Sequence, residues 1–128
     1  MPFDNPHQTP FDDLELLMDA RNRISTHSRW MQGGFRDGER HCLVAALSVA
    51  SGNRSFKQPN ETERRLSRLL VAQLPGSAPL LARVRMFPAR QRLMWFNDSS
   101  GTHHDDVIAL LDRAIQRLTS TLPVCVSG

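Results

Sequence analysis

The chain is short of cysteine, of aromatic residues and of long apolar runs. It has two cysteines, Cys42 and Cys125, no tyrosine, and aromatics at 6% of its 128 positions. Two cysteines are too few for a disulfide-built fold. No apolar run approaches the ~18 residues of a membrane span, so contact with a membrane is not expected. The first ten residues have neither a basic start nor an apolar stretch, so no secretory leader is expected. The cytoplasm is then the expected compartment, and a Cys42–Cys125 disulfide is not expected. Lysine occurs once, at Lys57, and the other fifteen bases are arginine. There is no G-x-S-x-G, no Walker A, no G-x-G-x-x-G, no C-x-x-C and no H-x-x-x-H. The common signatures of nucleotide, hydrolase and zinc sites are therefore missing.

What is present is an ordinary globular composition, 40% hydrophobic and 23% charged in 14.5 kDa. That is enough for one core. The expected organisation is a loose tail over 1–9, a single helical domain over 10–122 and a short tail over 123–128. The charge is segregated. Residues 1–20 hold five acids and no base, and residues 21–97 hold fourteen bases against four acids. A GC-rich coding sequence is the simplest reason for so much arginine. Arginine also makes bidentate contacts with carboxylates and phosphates.

Hydrophobic spacing predicts an all-α bundle of about four to six helices. The first has Thr9 as cap and Pro10 in the first turn, with Phe11, Leu14, Leu17, Met18 and Ile24 at helical spacing. The segment 39–51 is apolar on most sides and predicts a buried helix, with Asp37-Gly38 before it as a candidate cap and Cys42 as a small buried hydrophobe. Asn60 and Glu63 form a capping box ahead of Leu66, Leu69, Leu70 and Leu74, with Glu61 placed to pair with Arg65. Over 79–96 the pattern favours short helices, and a hairpin near 83–96 is the alternative. No other strand candidate exists to complete a sheet, and a lone hairpin is marginal. The last helix has Thr102 as cap, Asp105 three residues on, and Val107, Ile108, Leu111, Ala114, Ile115 and Leu118 on one face.

Two polar segments stand out. One is Arg29-Trp30-Met31-Gln32-Gly33. The other runs from Phe96-Asn97-Asp98 through Gly101-Thr102-His103-His104 to Asp106. A chain entering a helix N-terminus presents free N–H groups and a positive dipole end, which suit an anion or a neutral histidine. Turn and cap roles account for most of the same residues, so scaffolding is the preferred reading. If a pocket exists, Trp30, Gln32, Asn97, Asp98 and His103 are its expected lining. Adjacent His103, His104, Asp105 and Asp106 point about 100° apart on a helix, so they need help from His27 or His41 to hold an ion. No metal and no cofactor is expected. A Cys42–His103 nucleophile pair is disfavoured by the apolar setting of Cys42. Arg83, Arg85, Arg90 and Arg92, interleaved with Phe87, Trp95 and Phe96, suit single-stranded nucleic acid, or are a solvated rim around core aromatics. With Arg64, Arg65 and Arg68 they make up the candidate basic surface.

These same segments carry a resemblance. Trp30-Met31-Gln32-Gly33, Cys42 ahead of Ala45-Ala46-Leu47, and Phe96-Asn97-Asp98 with Gly101-Thr102-His103 and Val107 to Ile115 resemble a family of short bacterial proteins known only as a domain of unknown function. Its pattern has W-x-Q-G, a Cys before G-A-L, and W-N-D-x-x-G-x-T-H-x-(D/E)-V-x-x-L-L-D-x-A-I. Here Phe96 stands for the Trp, Ala45 for the Gly, and Thr102 follows Gly101 directly. The resemblance supports the segmentation and implies no activity.

The leading functional expectation is a non-catalytic helical binding or regulatory protein that acts on a protein partner, with no catalytic residues of its own. Its acidic first helix and basic middle offer complementary surfaces. Small proteins of mobile elements that tune host machinery fit this profile by analogy. The alternatives are a small enzyme or ligand-binding protein with a pocket near Trp30, and a nucleic-acid binder.

Overall fold

A computed structural model gives the fold and describes residues 10–53 and 57–121. In order come α1 (Pro10–Arg23), β1 (Arg36–Asp37), β2 (Arg40–His41), α2 (Leu43–Ala50), α3 (Glu61–Val71), α4 (Ala89–Asp98) and α5 (His104–Thr121). Short 3₁₀ turns lie at His27–Arg29 and Leu81–Arg83. This is the expected all-α architecture with one two-stranded hairpin added. No helix among the described residues is long and apolar enough to cross a membrane. The Thr9 cap, the segments 1–9 and 122–128, and Cys125 lie outside the described residues.

α2 is the hub. Leu43 to Ser48 are all buried, as an all-apolar helix requires. It packs against α1, α3 and α4, while α1 also packs on α5 and α3 on α4. Leu17, Ile24, Leu66, Leu70, Leu93, Phe96, Leu110 and Leu111 close the core around it.

α2 starts at Leu43, not at 39. Asp37-Gly38 does not cap it. Gly38 takes a left-handed φ of +61° and turns β1 into β2, with Arg36 opposite His41 and Asp37 opposite Arg40. The helix begins only after this turn, at Cys42, whose Sγ accepts the Ala45 N–H at 3.3 Å. The hairpin 83–96 does not form. Pro88 disfavours helix at Phe87 and leads directly into α4, so the expected helix before it shrinks to Leu81–Arg83.

α3 is capped by Asn60, which accepts the Glu63 N–H at 2.8 Å. Glu63 does not reach back to complete the box. Its carboxylate is fully buried, where Oε1 accepts from Ser48 Oγ at 2.5 Å and from Asn53 Nδ2 at 2.8 Å. Its Oε2 stands 2.9 Å from Arg90 Nε, a charge contact rather than an aligned hydrogen bond. Arg65 leaves Glu61 for Asp13 of α1, with Nε 3.0 Å from Oδ2. Glu61 instead faces Arg64 and Arg68, each at 3.6 Å. At α5 the residue before the helix is His103, not Thr102, and Asp106 rather than Asp105 accepts the His103 N–H at 2.8 Å.

Glu63 and Arg90 generate the first prediction. Arg90→Leu strands a carboxylate in the core and should cost about 3–5 kcal/mol, whereas Arg90→Leu combined with Glu63→Leu should recover part of that loss. Equilibrium urea unfolding checks both.

Candidate functional site

The two polar segments meet at Asn97, in the last turn of α4. Asn97 is fully buried. Its Oδ1 accepts from Trp30 Nε1 at 2.7 Å and from the Leu43 N–H at 3.1 Å. Both neighbours can only donate, which fixes the orientation of the amide. Its Nδ2 donates to the Met31 carbonyl at 3.0 Å and to Asp98 Oδ1 at 2.9 Å. Two donors and two acceptor positions are thus all in use. The Leu43 N–H is one of the groups that a helix start leaves without a partner inside its own helix. Asn97 therefore supplies in trans what the buried end of α2 lacks.

Gln32 does the corresponding work at the end of α4. Its Nε2 lies 2.8 Å from the carbonyls of Asn97 and Ser99, and 3.1 Å from that of Thr102. The Asn97 carbonyl belongs to the last turn, where no intrahelical N–H remains for it, and the other two lie on the connection from α4 to α5. Asp98 Oδ1 accepts the Gly33 N–H at 3.0 Å. Gly33 has φ +77°, a conformation that favours glycine, and this turns the loop so that its N–H faces Asp98.

Beside this knot lies a cleft of about 330 Å³, lined by His27, Trp30, Gln32, Thr102, His103 and His104 among others. That is at the small end of the roughly 300–1,000 Å³ seen for ligand pockets. Of the five residues expected around a pocket, Trp30, Gln32 and His103 line it, whereas Asn97 and Asp98 do not. The Trp30 and Gln32 nitrogens turn away into the knot. Trp30 forms an aromatic triangle that spacing alone did not reveal, its ring centroid 6.0 Å from His27 and 5.7 Å from His104, which are themselves 5.8 Å apart. His104 Nε2 donates to the Ile24 carbonyl at 2.7 Å, so its Nδ1 is the acceptor in the neutral ring. His103 is exposed.

Cys42 is distant from nucleophile chemistry. Burial is the main cause that pushes its thiol up to about 11, and the hydrogen bond from Ala45 opposes the rise. Among the described residues, no three His, Cys, Asp or Glu side chains stand close enough to share a metal ion.

The basic residues are dispersed by their partners. Arg90 is held at Glu63 and Arg65 at Asp13. Arg83 Nε donates to the Ala78 carbonyl at 2.9 Å, and Arg92 Nε to the Ala82 carbonyl at 2.7 Å. Arg64 and Arg68 share Glu61, while Arg85 is exposed. Of the interleaved aromatics, Phe96 is buried, and Phe87 and Trp95 pack edge to face at 4.9 Å.

Asn97→Ala should lower stability by about 2–4 kcal/mol, because it orphans Trp30 Nε1, the Leu43 N–H and the Met31 carbonyl together. Trp30→Phe removes one donor and part of the indole but leaves the Leu43 N–H and the Met31 carbonyl paired with Asn97, so its hydrogen-bond loss should be smaller, about 1 kcal/mol. The order of denaturation midpoints, wild type above Trp30→Phe above Asn97→Ala, checks the role of the amide.

No curated protein and no solved structure matches the chain. A family profile does, across residues 8–117, which takes in both polar segments and all of the helices but the last four residues of α5. The chain belongs to DUF6197, a family of unknown function.

Proposed function

We propose that the protein is a non-catalytic helical binding protein that acts through its outer surface on a protein partner. One observation carries the reading. Trp30, Gln32, Asn97 and Asp98 spend their polar groups on one another's segments, while large apolar side chains elsewhere stand in solvent. Leu80, Leu81 and Met86 are 69%, 49% and 83% exposed, all on the connection between α3 and α4. Exposed Arg83 and Arg85 lie among them. Exposed apolar side chains and arginines on one connection match the make-up of protein interfaces, where methionine and arginine are enriched.

A second surface has the opposite character. The groove between α1 and α5 has a volume of about 670 Å³ and is lined by Met18 and Ile115 with Glu15, Asp19 and the Arg21–Asp112 ion pair, which leaves it acidic on balance. A partner of mixed charge is the complement of such a pair of surfaces. The proposed setting is the cytoplasm of a bacterium, with a mobile-element protein as the analogy.

A photo-cross-linking residue in place of Met86 tests the proposal in producing cells. It should give one discrete protein adduct that the same residue in place of Thr119, exposed on α5, does not give. The variant Leu80→Glu/Leu81→Glu, with an unchanged circular dichroism spectrum, should reduce that adduct at least tenfold. Equal adducts from both positions, or none from position 86, would contradict the reading.

A further inference from the structure

Away from Asn97, positive charge gathers near the end of α1. Arg36 and His41 are direct partners across the hairpin. Their side chains therefore leave the same face, with Cβ atoms about 4.5–5.5 Å apart. Arg29 ends the first 3₁₀ turn and Arg23 ends α1. With Gly38 and Glu39 these four residues line a cleft of about 240 Å³. Asp19 stands 3.4 Å from Arg23 and offsets part of its charge. The guanidinium groups of Arg29 and Arg36 have no ion-pair or hydrogen-bond partner among the described residues. Glu39 is the single acid on the cleft wall. Three guanidinium groups round one small cleft repel each other, and a bound anion would turn that repulsion into attraction.

His41 supplies the second observation. It lines the same cleft and is only 6% exposed. Its Nδ1 lies 3.1 Å from the Glu39 carbonyl, which can only accept, so Nδ1 carries the hydrogen. Its Nε2 is closed to solvent and has no hydrogen-bond partner among the described residues. Such a group is unusual in a folded protein. Burial first, and then the charges of Arg36 and Arg23, hold the imidazole below its ordinary value, against the pull of the Glu39 carbonyl. A negative ligand would reverse the electrostatic part and favour a protonated ring.

We infer that this cleft binds a phosphate group carried by a small molecule, gripped by Arg29 and Arg36 with Arg23 and His41 beside them. The planar guanidinium fork matches phosphate oxygens two at a time. The cleft is smaller than the roughly 300–1,000 Å³ that encloses a drug-sized ligand, so it takes the compact head group and leaves the rest outside. The site lies apart from the exposed Leu80–Met86 connection and does not depend on a partner there.

The test is an NMR titration of the intact protein with inorganic phosphate. Saturable shifts are expected at the Arg29 and Arg36 Nε–H groups and at the His41 ring. Arg29→Gln/Arg36→Gln should weaken binding at least tenfold, and Arg117→Gln, exposed on α5, should leave it unchanged. If the double variant fails to fold, Arg29→Lys decides: it keeps the charge, loses the fork, and should weaken binding several-fold. Sulfate stays a dianion throughout the range where histidine titrates, so its binding should raise the His41 midpoint. Shifts that do not saturate, equal weakening in Arg117→Gln, no effect of Arg29→Lys, or an unmoved His41 midpoint would overturn the inference. So would tighter binding of a short single-stranded oligonucleotide with a steep salt dependence, which would assign the cleft to nucleic acid.

Discussion

A buried helix cannot leave its first N–H groups without partners, and α2 is buried from its first residue. Water cannot reach the Leu43 N–H, and no residue within α2 can accept it. The carboxamide of Asn97 solves this from another helix. The same oxygen holds the indole of Trp30, and the same nitrogen holds the Met31 carbonyl. One side chain thus joins the end of α4, the start of α2 and the loop between α1 and the hairpin. Gln32 and Asp98 return the connection from the loop to α4. A residue of another shape would satisfy one or two of these groups and strand the rest, at the cost that a buried unpaired polar group carries.

The far end of α2 has its own polar centre. Ser48, in its last turns, donates to Glu63, which also takes Asn53 and faces Arg90 of α4. The central helix is therefore apolar along its length and anchored by polar contacts at both ends, each reaching α4 or the loop before α3. Burying the Glu63 charge is expensive, and only the combination of Arg90 with two hydrogen bonds makes it tolerable. The arginine-rich middle of the chain looks different once this is seen. Arg65 and Arg90 hold helices together, and Arg83 and Arg92 hold carbonyl groups.

Much of the fold was legible because its signals are local. Asn60 as a cap, Pro10 in a first turn and the apolar face of α5 follow from backbone needs and a 3.6-residue period. The hairpin was not legible. Arg36-Asp37 and Arg40-His41 show no alternation of apolar residues, and strands of two residues are too short to have any. Glu63 read as a cap partner because the box pattern is local, whereas its burial depends on Ser48 and Arg90, 15 and 27 positions away. The contacts of Asn97 and Asp98 reach further than the local turn that their sequence suggests. Neither closes a local turn in isolation, since their partners are Trp30, Gly33 and Leu43. The meeting of the Trp30 and Asn97 segments could be suspected from their composition, but which atoms pair is a matter of tertiary geometry. His27 and His104 around Trp30 were missed for the same reason.

Native-state hydrogen exchange of the Trp30 indole N–H and the Leu43 amide tests this view of Asn97 most directly. If the carboxamide ties the fold together, both protons exchange only when the whole molecule unfolds, with the same free energy as the most protected amides of α5 and the same dependence on denaturant. Exchange of either proton through a local opening of far lower free energy, insensitive to denaturant, would show that the fold stands without it.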